Sequence, residues 1–154
     1  MSLADDIGPG LSGLEQLRAL MAHGQRPGIA VSLDFDLEEV GEGTAVFAGT
    51  PGDHAYNPIG AVHGGYAAAL LDSACGCAVH SRLAANQTYT TLELKISYLK
   101  GLTRDSGRVR AEGVVITIGR RAAFAEARLV GADGRIYATA SSTLLVMERP
   151  GATG

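Results

Sequence analysis

Hydrophobic positions along the chain change their period three times. From Leu11 to His23 they fall at Leu14, Leu17, Leu20 and Met21, the spacing of one helix face. Ser12 stands where a side-chain oxygen would cap that helix, and Gly24 with Pro27 ends it. From Ile29 the period becomes two. Ile29, Val31, Leu33, Phe35 and Leu37 alternate with Ala30, Ser32, Asp34, Asp36 and Glu38, which predicts a half-buried strand. The turn EVGEG leads into a second strand, TAVFAGT. A loop rich in Pro, Gly and Asp follows, and then a small-residue apolar run from about Gly64 to Leu83 reads as a long helix. Four more strands are predicted over TYTTLELKISYL, RVRAEGVVITI, AAFAEARLV and RIYATASSTLLVM, with breaks at Lys100–Ser106, Gly119 and Gly131–Gly134.

Consecutive strands with no helices between them make an antiparallel sheet, and the one long helix must cover a face of it. The expectation is an α+β fold with a sheet of about six strands. Residues 1–154 read as a single domain: a helical extension over 1–27, a core over 28–147 and a tail over 148–154. The first ten residues and the last few, polar and broken by Gly and Pro, read as frayed ends. Glycine makes up 21 of the 154 residues, about twice the usual ~7%. Several fall near the long helix, where small residues let a sheet curl closely around it.

Charge narrows the choice of partners. The 13 Lys and Arg are scattered, the net charge is −3, and no basic patch points to nucleic acid. Cys75 and Cys77 sit two residues apart, which on a helix turns them roughly 200° from each other, so they neither pair nor share a metal. They read as small core residues of a reducing compartment. No zinc-ligand spacing involves His54, His63 or His80. The apolar run Gly64–Val79 is short for a membrane span, and Asp72 at its centre would cost about 2.5–3.5 kcal/mol there. With no basic segment followed by an apolar run among the opening residues, a cytoplasmic protein with no membrane partner is the expectation.

Asp72 is the residue that asks for chemistry. The positions three and four away on the helix are Ala68, Ala69, Cys75 and Gly76, and none offers a cation or a strong donor. Such an acid finds a partner on another element, faces a cleft, or is heavily penalised by desolvation. At the helix start stand His63, Gly64 and Gly65, where free N–H groups and the positive end of the helix dipole collect. N–H donors there can hold a developing oxyanion. Eight residues of helix span ~12 Å, whereas reacting atoms meet within about 3–3.5 Å. Gly64 and Asp72 of one chain therefore cannot act on one carbonyl, and a site using both needs two chains.

The segment NPIGAVHGGYAAALLDSACGCA resembles the signature of hotdog-fold acyl-CoA thioesterases of the phenylacetate-pathway (PaaI) type, related to the hydroxybenzoyl-CoA thioesterases. The resemblance covers about residues 28–147, and its specific part is the N-P-x-G-x-V-H-G-G-x(6)-D spacing from Asn57 to Asp72. It implies a sheet wrapped around a central helix and hydrolysis of an acyl-CoA thioester, with CoA part of the substrate and no cofactor or metal. It places the nucleophile or general base at Asp72 and the carbonyl-polarising N–H at Gly64. Asn57 matches the residue orienting carbonyl or water, and His63 a supporting loop position. A strand hydroxyl falls on Thr91, with Thr90 its alternative by one register step, and Glu93 on Thr91's face is a second candidate acid. Gly65 is a substrate-binding position at the helix start, and the segment with Arg120, Arg121 and Phe124 matches a family turn close to the CoA nucleotide, the arginines suited to phosphate. The resemblance also implies a homodimer with Asn57 and Gly64 from one chain and Asp72 and Thr91 from the other, assembled further into a tetramer. Aryl, arylacetyl and medium-chain acyl groups all suit it. Tyr66 and Tyr98 line the acyl pocket or belong to the core. Two rivals stay open: a hotdog enoyl-thioester hydratase using His63 with an acid, and a non-catalytic acyl-CoA sensor.

Overall fold

The computed structural model describes residues 3–7 and 10–151. Its elements run in chain order as α1 (Leu3–Ile7), α2 (Gly13–Ala22), α3 (Gly28–Leu33), β1 (Phe35–Gly41), β2 (Thr44–Gly49), α4 (Gly64–His80), β3 (Gln87–Tyr98), β4 (Val109–Ile118), β5 (Ala122–Gly131) and β6 (Ile136–Glu148). All six strands join one antiparallel sheet in the order β1-β2-β4-β5-β6-β3. The sheet curls around α4, which touches every strand. This is the hotdog arrangement, with α2 added beside it.

The helix is held by its apolar faces. Leu70, Leu71, Ala74, Cys75, Ala78 and Val79 are fully buried against inward residues such as Ala111, Ala123, Leu129 and Leu144. Each buried Leu or Val contributes about 1.5–3 kcal/mol of transfer free energy. Small residues set the spacing. A Cβ on Gly113 of β4 would come 2.4 Å from the Ala74 carbonyl oxygen, so only glycine lets strand and helix approach this closely.

The amino-terminal helix forms as its pattern predicts. Ser12 and Glu15 make a reciprocal capping box, the Ser12 N–H donating to Glu15 Oε2 at 2.7 Å and the Glu15 N–H to Ser12 Oγ at 3.4 Å. The Gly13 N–H donates to the Leu83 carbonyl at 2.9 Å, fastening the start of α2 beyond the end of α4. Within the first ten residues, expected to fray, Leu3–Ile7 is instead a short helix packed on α2. Residues 1, 2, 8, 9 and 152–154 lie outside the described residues.

One predicted strand is half wrong. The alternation over 29–33 is a helix, α3, and the strand starts only at Phe35. Ala30, assigned to the polar face, is 1% exposed, whereas Ile29 and Val31 are 54% and 60% exposed. The Pro27 carbonyl accepts from the N–H groups of Ala30 and Val31 and starts the helical turn. Arg26 closes it, donating to the Ala30 carbonyl at 2.8 Å and the Phe35 carbonyl at 3.1 Å. Asp34 then reverses the chain in the left-handed region at φ 56°. Tertiary anchoring has overridden a β-branched, alternating pattern.

Candidate active site

The face of α4 that the sheet leaves open carries Gly65, Ala68, Ala69, Asp72, Ser73 and Cys77, none of them fully buried. Toward its carboxyl end α2 covers it: His80 Nε2 meets Gln16 Oε1 at 2.8 Å, and burial drops the His80 pKa to about 4, with Arg149 nearby acting in the same direction. Toward the amino end nothing in the described residues covers it. Asp72 lies in that uncovered part. The acid is tolerated because its surroundings are half open and because it has found a partner on another element: Thr91 Oγ1 of β3 donates to Asp72 Oδ1 at 2.9 Å.

The same contact separates Thr91 from Thr90. Thr91 pairs across the sheet with fully buried Leu144 and shares its helix-facing side, whereas Thr90 pairs with Leu145 and is exposed. Glu93 does not share Thr91's face. A bulge between Thr91 and Glu93 leaves Leu92 without a partner and 60% exposed, so Glu93 pairs with Thr143 on the outer side of the sheet. The strict alternation that put Glu93 beside Thr91 fails at that extra residue. Beyond the bulge, Leu94 and Ile96 take the inward places and pack on the core.

The loop before α4 is built by its own polar groups. Asn57 Oδ1 accepts from the N–H groups of Ile59 at 3.0 Å and Ala61 at 3.3 Å, leaving the amide NH2 as a donor. The His63 N–H donates to the Ala55 carbonyl at 2.7 Å, and Asn57 and Ala61 are joined at 2.8 Å. His63 is the N-cap of α4: its Nδ1 accepts from the Gly65 N–H at 2.7 Å. That acceptor role puts the ring proton on Nε2, so neither nitrogen offers a lone pair to a substrate. A Cβ on Gly65 would lie 2.8 Å from His63 Nδ1, so the cap needs glycine. Tyr98 Oη donates to the Gly64 carbonyl at 2.7 Å. The Gly64 N–H itself, at the first helical position, has no acceptor among the described residues. Beside it, Val62, His63, Gly64, Tyr98, Lys100 and Tyr137 line a small hollow of about 60 Å3.

Two clusters therefore stand at separate places on one helix: Gly64 with His63, Gly65 and Tyr98 at its start, and Asp72 with Thr91 two turns on. Arg120 and Arg121 occupy the exposed β4–β5 turn. Ala123, Leu144 and Thr91 lie in one row across β5, β6 and β3, so that turn sits at the Thr91 end of the sheet, with Ala123 about 10 Å away at two strand spacings. Phe124 points to the outer face, paired with Thr117 and Thr143, and does not meet Asp72. Tyr66 is core, 2% exposed, with no partner for its hydroxyl among the described residues. Cys75 is buried and Cys77 half-buried, and burial pushes both thiols up to about 12, which leaves neither as a thiolate nucleophile. Tyr98 is the contact with Gly64 that sequence reasoning assigned no role there. No helix among the described residues is long and apolar enough to cross a membrane.

With this geometry in place, comparison with known proteins identifies the class. Residues 59–138, just over half of the chain, match the thioesterase superfamily, and the chain belongs to it. A Pseudomonas aeruginosa protein, PA1618, named as an esterase by proposed assignment, is 33% identical over 100 residues, covering 64% of this chain and 68% of that one. The structure of a mutant of the Thermus thermophilus phenylacetic acid degradation protein PaaI superposes with a TM-score of 0.70 at 27% identity, over 77% of this chain and 98% of that one. Thioesterase HI1161 of Haemophilus influenzae superposes with a TM-score of 0.77 over 96% and 99% of the two chains; at 19% identity it supports the fold alone.

Proposed function

We propose that the protein hydrolyses acyl-CoA thioesters in a site shared by two copies of the chain. The observation that carries this reading is the Asp72–Thr91 pair, 2.9 Å apart on the uncovered stretch of α4. It stands beside β3, the twelve-residue strand at the sheet edge with no outer neighbour among the described residues. A long open edge is a template for pairing with another chain. A second copy joined there with its helix antiparallel would set its own Gly64 near this Asp72, which one chain alone cannot do.

In that site the Gly64 N–H and the Asn57 amide hold the thioester carbonyl oxygen as it gains charge. The Asp72 carboxylate takes a proton from water as the water oxygen attacks the carbonyl carbon, or attacks that carbon itself to give an anhydride that water then opens. Either way the carbon–sulfur bond breaks, the CoA sulfur leaves and takes up a proton, and the free acid departs. Thr91 holds Asp72 in place, and His63 with Gly65 holds the helix start. Arg120 and Arg121, on the exposed turn at the same end of the sheet, would pair with the CoA phosphates. Capping by His63 Nδ1 argues against the hydratase alternative, which needs that ring as a base. Asp72→Asn keeps the shape of the side chain, so the fold should stand while thiol release falls by roughly 10²–10⁴ if the acid is a base, and further if it is the nucleophile. Near-normal thiol release from the folded variant would exclude the assignment, and saturable ester binding without turnover in the wild type would favour the sensor reading.

A further inference from the structure

Between α2, the α2–α3 connection and the β1–β2 end of the sheet lies a hollow of about 260 Å3 that the reaction as described does not use. Leu17, Leu20, Met21, Leu37 and Phe47 line it, and α4 contributes Cys77. Its two charged lining residues neutralise each other, Arg26 Nε meeting Asp36 Oδ1 at 2.9 Å. Apart from exposed Gln25, what remains is apolar space, and a void of that kind forfeits dispersion contacts unless something fills it.

Its position says what could fill it. Ser73, next to Asp72, and Cys77 stand four residues apart, in one row along α4. Both are small and neither is fully buried. From Asp72 to Cys77 the helix rises only ~7.5 Å. Tyr89 of β3 flanks the row, its hydroxyl meeting the Cys77 thiol, and one turn further on the row is closed by His80 held against Gln16. We infer that the hollow receives the distal end of the acyl group, passing from a carbonyl at Asp72 over Ser73 to Cys77. Resting on the thioesterase reading above, this makes the substrate an unbranched acyl group of roughly ten to fourteen carbons. About half of these are needed to cover the helix rise, and the rest to occupy a hollow somewhat larger than one that holds benzene. A polar or charged chain end would be surrounded mainly by Leu17, Leu20, Met21, Leu37 and Phe47 there, with Arg26 and Asp36 already paired to each other.

Thiol release is measured over CoA esters of two to sixteen carbons for the wild type, Leu20→Ala and Cys77→Leu. Cys77→Leu, which fills the hollow, should lower kcat/KM for the dodecanoyl ester roughly tenfold or more while the butyryl ester stays within about twofold. Leu20→Ala, which enlarges it, should move the preferred length upward. Variants that change every ester by one factor, or none, overturn the inference while leaving the hydrolytic reading intact. A wild type that releases thiol from no ester overturns that reading instead. The hollow is then tested by calorimetric titration with the non-hydrolysable dodecyl thioether of CoA. Cys77→Leu should weaken its binding about tenfold, and equal affinity, or no binding by the wild type, overturns the inference.

Discussion

Two variants, each damaged in one half of the site, should restore one another when mixed. Asp72→Asn removes the acid. Asn57→Asp keeps the oxygen that accepts from Ile59 and Ala61, so the loop stays built, but removes the NH2 donor. The expected magnitude follows from helix geometry. Gly64 and Asp72 lie ~12 Å apart along α4, so a site using both takes its acid from the neighbouring chain. In a mixed dimer one site collects both lesions and the other collects neither. Random assortment of equal amounts makes half the dimers mixed, each with one good site of two, so about a quarter of wild-type activity should return. The assay is thiol release after co-refolding, with differently tagged chains to confirm exchange by native mass measurement. If mixed dimers form and activity stays at the level of the separate variants, acid and oxyanion donor act within one chain. The shared-site mechanism is then wrong.

The remaining predictions address single contacts. Thr91→Val removes the 2.9 Å hydrogen bond to Asp72; a bond to a charged group is worth about 1.5–3 kcal/mol, so kcat should fall roughly ten- to hundredfold while Thr90→Val stays near wild type, and the reverse order would mean that the register is misread. Arg120→Ala with Arg121→Ala should raise KM for CoA esters with little change in kcat, an effect that fades with added salt, because phosphate contacts bind ground and transition states alike; an unchanged KM at low salt would leave the arginines as surface charge. His80 is held neutral down to about pH 4 by burial, so as pH falls from 6.5 the unfolded chain takes up the proton first. Its contribution to stability is whole above pH 6.5 and lost toward pH 4. His80→Gln should flatten that part of the Tm-against-pH curve, and an identical curve would show that another group governs it.

Much of the fold could be read from periodicity because most segments obey it locally. The α2 helix with Ser12 as its cap, the long helix from Gly64 and four strands after it all stand within a residue or three of where the pattern put them. The failures have a common cause. At 29–33 an alternating run became a helix because Arg26 and Pro27 supplied partners for its backbone groups, which no window over the run itself contains. At Leu92 one extra residue turned Glu93 away from Thr91, and a bulge leaves little trace in composition. The candidate site was legible where chemistry conflicted with packing, at an acid with no helical neighbour to pair with. Pattern alone supplies no partner distant in sequence: Thr91, 19 residues from Asp72, comes only through the family resemblance, and the bond of Tyr98 to Gly64, 34 residues away, is not foreseen. The family resemblance proposes Thr91 with Thr90 as its alternative, and the pairing with Leu144 puts Thr91 on Asp72's side.

The bulge also bears on how β3 can serve two purposes. A strand that alternated strictly through residue 98 would keep Thr91, Glu93 and Lys95 on one face, and with Thr91 turned toward Asp72 it would drive two charges into the core. Slipping one residue at Leu92 lets Thr91 face the helix while Leu94 and Ile96 still pack inward and Glu93 and Lys95 stay in solvent. The slip also leaves Leu92 at 60% exposure on the open edge of the sheet, together with exposed Leu99 at 62% beyond the strand end. Large apolar side chains on an open edge are where a second chain gains most by docking. The slip that accompanies Thr91's turn toward the acid thus also leaves an apolar edge open to a partner, and a site that uses both Asp72 and Gly64, ~12 Å apart, would need one. On the shared-site mechanism proposed above, the aim of Thr91 at Asp72 and the assembly would both follow from one local irregularity, and deleting Leu92 should disturb both together.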